Sequence, residues 1–164
     1  AIRSSQLKKK GDNLMGVDIY GKNEINKTTT REDGRNYFRS NWWFWRPIVI
    51  QMEAAAPELF AKVEYWGSND GDGFDNSDDC LAMADALEKM EPYIVKARRD
   101  QEALPDIDCK YCAGTGTRGE VDNDCNVCDG SGNVRPREAD YPHDWEFTKD
   151  WIAFLRGCGG FEIC

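Results

Sequence analysis

The chain has 164 residues, 40% of them hydrophobic, enough for one compact domain with a real core and too short for two independent ones. Its formal net charge of −9 argues against non-specific attraction to nucleic acid or to anionic membrane, which rests on Lys and Arg contacts to phosphate. Seven cysteines, an odd number concentrated in one segment, and no long apolar run or signal peptide, point to a reducing cytoplasm rather than a secreted disulfide scaffold.

Residues 1–14 show no hydrophobic period and are net basic through Arg3, Lys8, Lys9 and Lys10 against Asp12, so the rest is more acidic still. We read them as a flexible arm or as a translated leader ahead of an initiator at Met15, because Lys10-Gly11-Asp12 can be encoded by a purine-rich ribosome-binding run. Residues 15–164 are then a single domain. From Met15, Val17 and Ile19 alternate with polar neighbours and predict a strand ended by Gly21. A charged loop over residues 22–36, turning at Asp33-Gly34, is expected to run over the surface.

Tyr37 to Pro47 concentrates aromatic mass, with Arg39 and Arg46 beside Trp42 to Trp45. Asn41 suits the cap of a helical turn, and Pro47 the start of a second helix through Ile48, Met52 and Ala55. The cluster reads first as core; its other reading is a stacking platform or a partner contact. Pro57 marks another start, with Leu59, Phe60, Val63 and Trp66 in helical period. The acidic glycine-rich loop from Gly67 to Gly73 precedes the clearest helix, capped by Asn76 or Ser77, with Cys80, Met83, Ala84, Leu87, Met90 and Ile94 as one apolar stripe that Pro92 should kink or split. The run Asp70 to Asp75 departs from a calcium loop, because Phe74 and Asp75 stand where a ligand and a glycine belong. Leu104-Pro105 ends the helical stretch. Asp144 is expected to cap a last helix through Phe147, Trp151, Phe154 and Leu155, ended by Gly157, and residues 159–164 to form a strand paired with the first.

Between these helices, residues 105–136 form a distinct insertion. Cys109-Lys-Tyr-Cys112-Ala-Gly114-Thr-Gly116 is echoed by Cys125-Asn-Val-Cys128-Asp-Gly130-Ser-Gly132. Two C-x-x-C pairs at hairpin spacing supply four thiolates, the closed coordination of one structural Zn²⁺ with no position left for a substrate water. Glycines at fixed offsets can turn backbone N–H groups toward the sulfurs. A redox dithiol would want a helix after the C-x-x-C, and iron–sulfur ligation is the minor alternative. Cys80, Cys158 and Cys164 are left as free thiols, and His143, the only histidine, has no nucleophile motif around it.

The duplicated C-x-x-C-x-G-x-G resembles half of the cysteine-rich zinc region of DnaJ-type co-chaperones, a likeness confined to residues 109–132. It implies Cys109, Cys112, Cys125 and Cys128 as the ligands of one zinc. Two-repeat versions also occur in anti-TRAP-like proteins, where the resemblance implies protein binding without catalysis. Residues 15–47 look like the opening of small uncharacterised phage and bacterial proteins. The expectation is therefore an α+β fold, mainly helical, with short terminal strands and an inserted zinc-binding β-hairpin. Its expected role is that of a non-enzymatic adaptor or inhibitor, of phage or bacterial origin, that binds another protein. The alternatives are nucleic-acid binding through the hairpin, mimicry of nucleic acid by the acidic face, and a thiol redox protein or enzyme that uses the free cysteines.

Overall fold

A computed structural model describes residues 16–23, 36–67, 71–119 and 123–164. The arm or leader of residues 1–14 and most of the charged loop with its Asp33-Gly34 turn lie outside these residues, as does Asp70.

The fold is α+β. Strand β1 (Gly16–Gly21) lies in the middle of an antiparallel sheet between β2 (Tyr37–Asn41) and β7 (Phe161–Ile163). The register sets Val17 opposite Ser40, and Ile19 opposite both Phe38 and Ile163. Because side chains alternate across a strand, this puts Val17, Ile19, Phe38, Ser40, Phe161 and Ile163 in the interior while Asp18 and Tyr20 face outward. The C-terminal strand thus pairs with the first, as its sequence predicts. Strand β2 is an element the sequence did not announce, since its aromatic residues also suit a buried turn.

Helix α1 (Trp42–Ala55) follows β2 without a loop, and the Asn41 side chain accepts a hydrogen bond from Phe44 N–H at 3.1 Å as its cap. Pro47 does not begin a new helix; it sits inside α1. An interior proline forfeits the bond that its N–H would send to the Trp43 carbonyl, at roughly 3 kcal/mol. Burial of Trp45, Pro47, Ile48, Gln51 and Met52 on one face of the uninterrupted helix offsets that loss. The predicted period through Val63 and Trp66 is also shorter than expected: α2 spans only Pro57–Phe60, and both residues are buried from the turns beyond it. Hydrophobic spacing marked their burial, not their helicity.

Helix α3 (Ser77–Glu88) is capped by Asn76, whose side-chain oxygen accepts from Asp79 N–H at 2.9 Å. The chain breaks at Lys89-Met90 and restarts as α4 (Glu91–Glu102), with Pro92 in the first turn, so the proline splits the helix. Helix α5 (Trp145–Gly157) is capped by Asp144, which accepts from Phe147 N–H at 2.8 Å.

The core lies between the sheet and helices α1, α3 and α5, and aromatic side chains dominate it. Trp45 and Phe161 meet Trp151 edge-on at 5.2 and 5.4 Å, Phe38 tilts against both Trp151 and Phe154, and Phe161 tilts against Phe154. The indoles do not lose their hydrogen bonds on burial: Trp45 donates to the Trp66 carbonyl at 2.7 Å and Trp66 to the Phe60 carbonyl at 3.0 Å. Among the described residues, no helix is long and apolar enough to cross a membrane.

The insertion leaves the end of α4 as two nested pairs of short strands. Strands β3 (Ile107–Asp108) and β6 (Asn133–Val134) form the base, and β4 (Thr117–Arg118) pairs with β5 (Asn123–Asp124) further out. Arg135 holds this hairpin to the body by donating to the carbonyls of Leu104, just beyond α4, at 2.7 Å and of Gln101, in its last turn, at 3.0 Å; the latter also accepts Leu104 N–H. Gln101 adds side-chain bonds to the carbonyls of Glu138 and Tyr141.

Candidate metal centre

Each cysteine pair sits on a tight turn, and the two turns are near copies of one another. Gly114 N–H reaches back to the Cys109 carbonyl and Gly130 N–H to the Cys125 carbonyl, both at 3.2 Å. The hydroxyls of Thr115 and Ser131 donate to the carbonyls of Cys112 and Cys128, both at 2.7 Å. Ala113 and Asp129 take positive φ values of 51° and 48°, the one place where the repeat asks non-glycine residues for a left-handed backbone.

The turns then lock onto each other. Cys109 N–H donates to the Gly132 carbonyl and Cys125 N–H to the Gly116 carbonyl, each at 2.7 Å. Gly116 and Gly132 are required here on two grounds: their φ values are 81° and 80°, and a Cβ on either would stand 2.2 or 2.3 Å from a carbonyl oxygen of the other turn. The same two residues aim their N–H groups at sulfur, Gly116 at Cys112 Sγ and Gly132 at Cys128 Sγ, both at 3.3 Å.

All four sulfurs lie within 4.8 Å of one another and all four cysteines are buried. Cys109 Sγ is 3.9 Å from Cys125 Sγ, and Cys112 Sγ is 3.7 Å from Cys128 Sγ. A tetrahedral ion with metal–sulfur bonds of about 2.3 Å needs sulfurs about 3.8 Å apart, so the cluster fits such an ion. With a metal bound, these N–H groups would give its thiolates the outer hydrogen bonds that such ligands need. Backbone donation, led by Val127 N–H, draws the Cys125 thiol down to about 7, and Cys112 is also lowered, although desolvation works against it. Desolvation pushes Cys128 up to about 11.

The remaining sequence candidates are dispersed. Cys80 and Cys158 are fully buried with their sulfurs 3.6 Å apart; the Cys158 thiol and burial push Cys80 far above the ordinary thiol range, while the same contact lowers Cys158. Cys164 is exposed at the chain end. His143 is tied into the scaffold: its Nδ1 lies 3.1 Å from Gln51 Nε2, its backbone N–H donates to Gln101 Oε1, and burial lowers its pKa. Within the acidic loop, Asp72 accepts from Tyr65 N–H and Asp75 from Lys22, so these carboxylates serve internal contacts. The aromatic run divides. Trp45 is fully buried, whereas Trp43 is 45% exposed and packs against Tyr141 with ring centroids 5.2 Å apart.

Two parts of the site's setting escaped the sequence reading: the clamp of Arg135 and Gln101, and the neighbourhood of Trp43, Tyr111 and Tyr141 beside the hairpin. Neither has a local pattern, because each joins residues far apart in the chain. Compared with protein-family models, curated proteins and solved structures, the chain matches none. What the described residues show within 109–132 is four cysteines whose clustered sulfurs could hold a metal ion.

Proposed function

We propose that the chain is a structural-zinc protein whose hairpin, folded by one Zn²⁺ on Cys109, Cys112, Cys125 and Cys128, serves a protein-binding adaptor or inhibitor without chemistry of its own. The carrying observation is the four buried sulfurs within 4.8 Å, held by backbone donors on two interlocked turns. Such a set fills every position of a tetrahedral zinc, which favours a scaffold over a catalyst. Support for a binding role comes from apolar side chains left exposed on the hairpin, Ile107, Tyr111 and Val127, none of which the metal needs as a ligand. The two-repeat likeness to anti-TRAP-like proteins, which implies protein binding without catalysis, points the same way.

Affinity purification from the source cell tests this reading, using the full chain and a Cys109→Ser/Cys125→Ser variant side by side. One protein retained stoichiometrically by the zinc-bearing chain and lost by the variant is the expected outcome. Retention of nucleic acid instead, or turnover abolished by Cys158→Ser, would replace the adaptor with one of its alternatives.

A further inference from the structure

A concave surface lies where the hairpin meets the body. Its cavity of about 470 Å³ is lined by Trp43 from α1, by Ile107, Tyr111, Val127 and Val134 from the hairpin, and by Tyr141 from the segment before α5. Trp43, Ile107, Tyr111 and Val127 are each between 45% and 53% exposed, so this is a contiguous apolar surface on an otherwise strongly charged chain.

Its electrostatics differ from those of the rest of the molecule. Elsewhere on the described surface cations mostly rest against carboxylates, as Lys22 does on Asp75, Lys62 on Asp79 and Arg98 on Glu102. Six described cations have no carboxylate within ion-pair distance among the described residues: Arg46, Lys89, Arg99, Lys110, Arg118 and Arg137. Four of these six gather here. Lys110 and Arg137 line the cavity, Arg46 stacks over Tyr141 at 4.9 Å, and Arg118 stacks over Tyr111 at 4.9 Å. Asp108 and Asp140 also line it, which leaves the unpaired charge positive and bars carboxylates from those two places.

We propose that this groove docks an acidic peptide segment of a partner protein, seating bulky apolar side chains among Ile107, Tyr111, Val127 and Trp43 and setting carboxylates against Arg46, Lys110, Arg118 and Arg137. The inference rests on the protein-binding reading above and adds the chemistry of the partner. Charge complementarity selects the occupant. The chain's own residues 1–14 are net basic and would be repelled. Single-stranded nucleic acid would supply anions too, but it needs open aromatic faces. Here Tyr111 already carries both Lys110 and Arg118, and Tyr141 carries both Arg46 and Trp43. The aliphatic side chains between them fit peptide side chains better than bases.

Selection from a random dodecapeptide library by the full zinc-loaded chain tests this, followed by affinity measurement of the enriched peptides and of a thymidine dodecamer. The expected peptides are net acidic with bulky apolar residues. Arg46→Glu/Arg137→Glu should weaken them about tenfold and the milder Arg46→Gln/Arg137→Gln by less. The control Lys89→Glu/Arg99→Glu changes the net charge equally, at residues that do not line the groove, and should leave affinity within about twofold. Enrichment of basic or neutral peptides, or equal losses in both reversal variants, would overturn the groove assignment while leaving protein binding intact. Failure to enrich any peptide, or binding of the thymidine oligomer in preference, would overturn both.

Discussion

At the scale of single residues, the metal centre depends on atoms that are absent as much as on sulfur. Gly116 and Gly119 have nearly the same φ, 81° and 78°, yet a Cβ on Gly116 would strike the Gly130 carbonyl oxygen at 2.2 Å, whereas one on Gly119 would meet nothing within 4 Å. Gly116→Ala should therefore weaken zinc binding tenfold or more in a competition titration with a chromophoric chelator, because it forces the two turns apart. Gly119→Ala bears only the backbone term, about 1 kcal/mol, and should leave zinc affinity nearly unchanged. The glycine spacing was legible in the sequence; which glycine meets a backbone atom was not. His143 makes a second residue-scale case. Its imidazole is partly buried, with Nδ1 3.1 Å from the Gln51 side-chain amide, whose other end meets the Thr148 hydroxyl at 2.8 Å. Burial lowers the folded pKa, so as pH falls below the unfolded value of about 6.5 the unfolded chain takes up a proton that the folded chain refuses. Stability should fall from that point downward. His143→Gln should lessen the loss between pH 7 and about pH 5.5 in urea denaturation; an unchanged slope would show that the imidazole does not titrate as described.

At the scale of elements, the caps were readable and the joints were not. Asn41, Asn76 and Asp144 each accept the N–H three residues on, as their positions ahead of apolar periods predict. Pro92 split a helix and Pro47 did not, because neighbouring burial, absent from any local window, decides whether a proline ends a helix. Strand β2 was hidden for a related reason: Phe38 and Ser40 alternate inward only against β1, and that pairing joins residues well separated in the sequence. The joint between hairpin and body is likewise non-local. Arg135→Ala should remove two bonds to the end of α4 and cost about 1 kcal/mol, since the side chain is half exposed. Amide exchange should rise at Leu104 to Asp108 while one zinc per chain is retained; unchanged exchange there would mean that the strands alone hold the hairpin.

At the scale of the whole molecule, the chain divides its stabilising forces. The body buries an aromatic core in which Trp151 touches Trp45, Phe38, Phe154 and Phe161, and Trp151→Ala should cost roughly 3–5 kcal/mol, read as a lower urea midpoint. The hairpin's buried cluster is its four cysteines with Val134 against them, so a metal ion bound there would supply the cohesion that hydrophobic burial supplies elsewhere. Composition made this division visible, because residues 105–136 are polar and glycine-rich between apolar helices. The measurement that tests it most directly is amide hydrogen exchange across the full chain, paired with elemental analysis, before and after chelation. The account predicts one zinc per chain, collapse of protection across residues 107–134 when zinc is removed, and protection retained in α1, α3, α5 and the three-stranded sheet. Unchanged protection of the hairpin without metal, or a metal-free chain with its four hairpin cysteines oxidised, would contradict it.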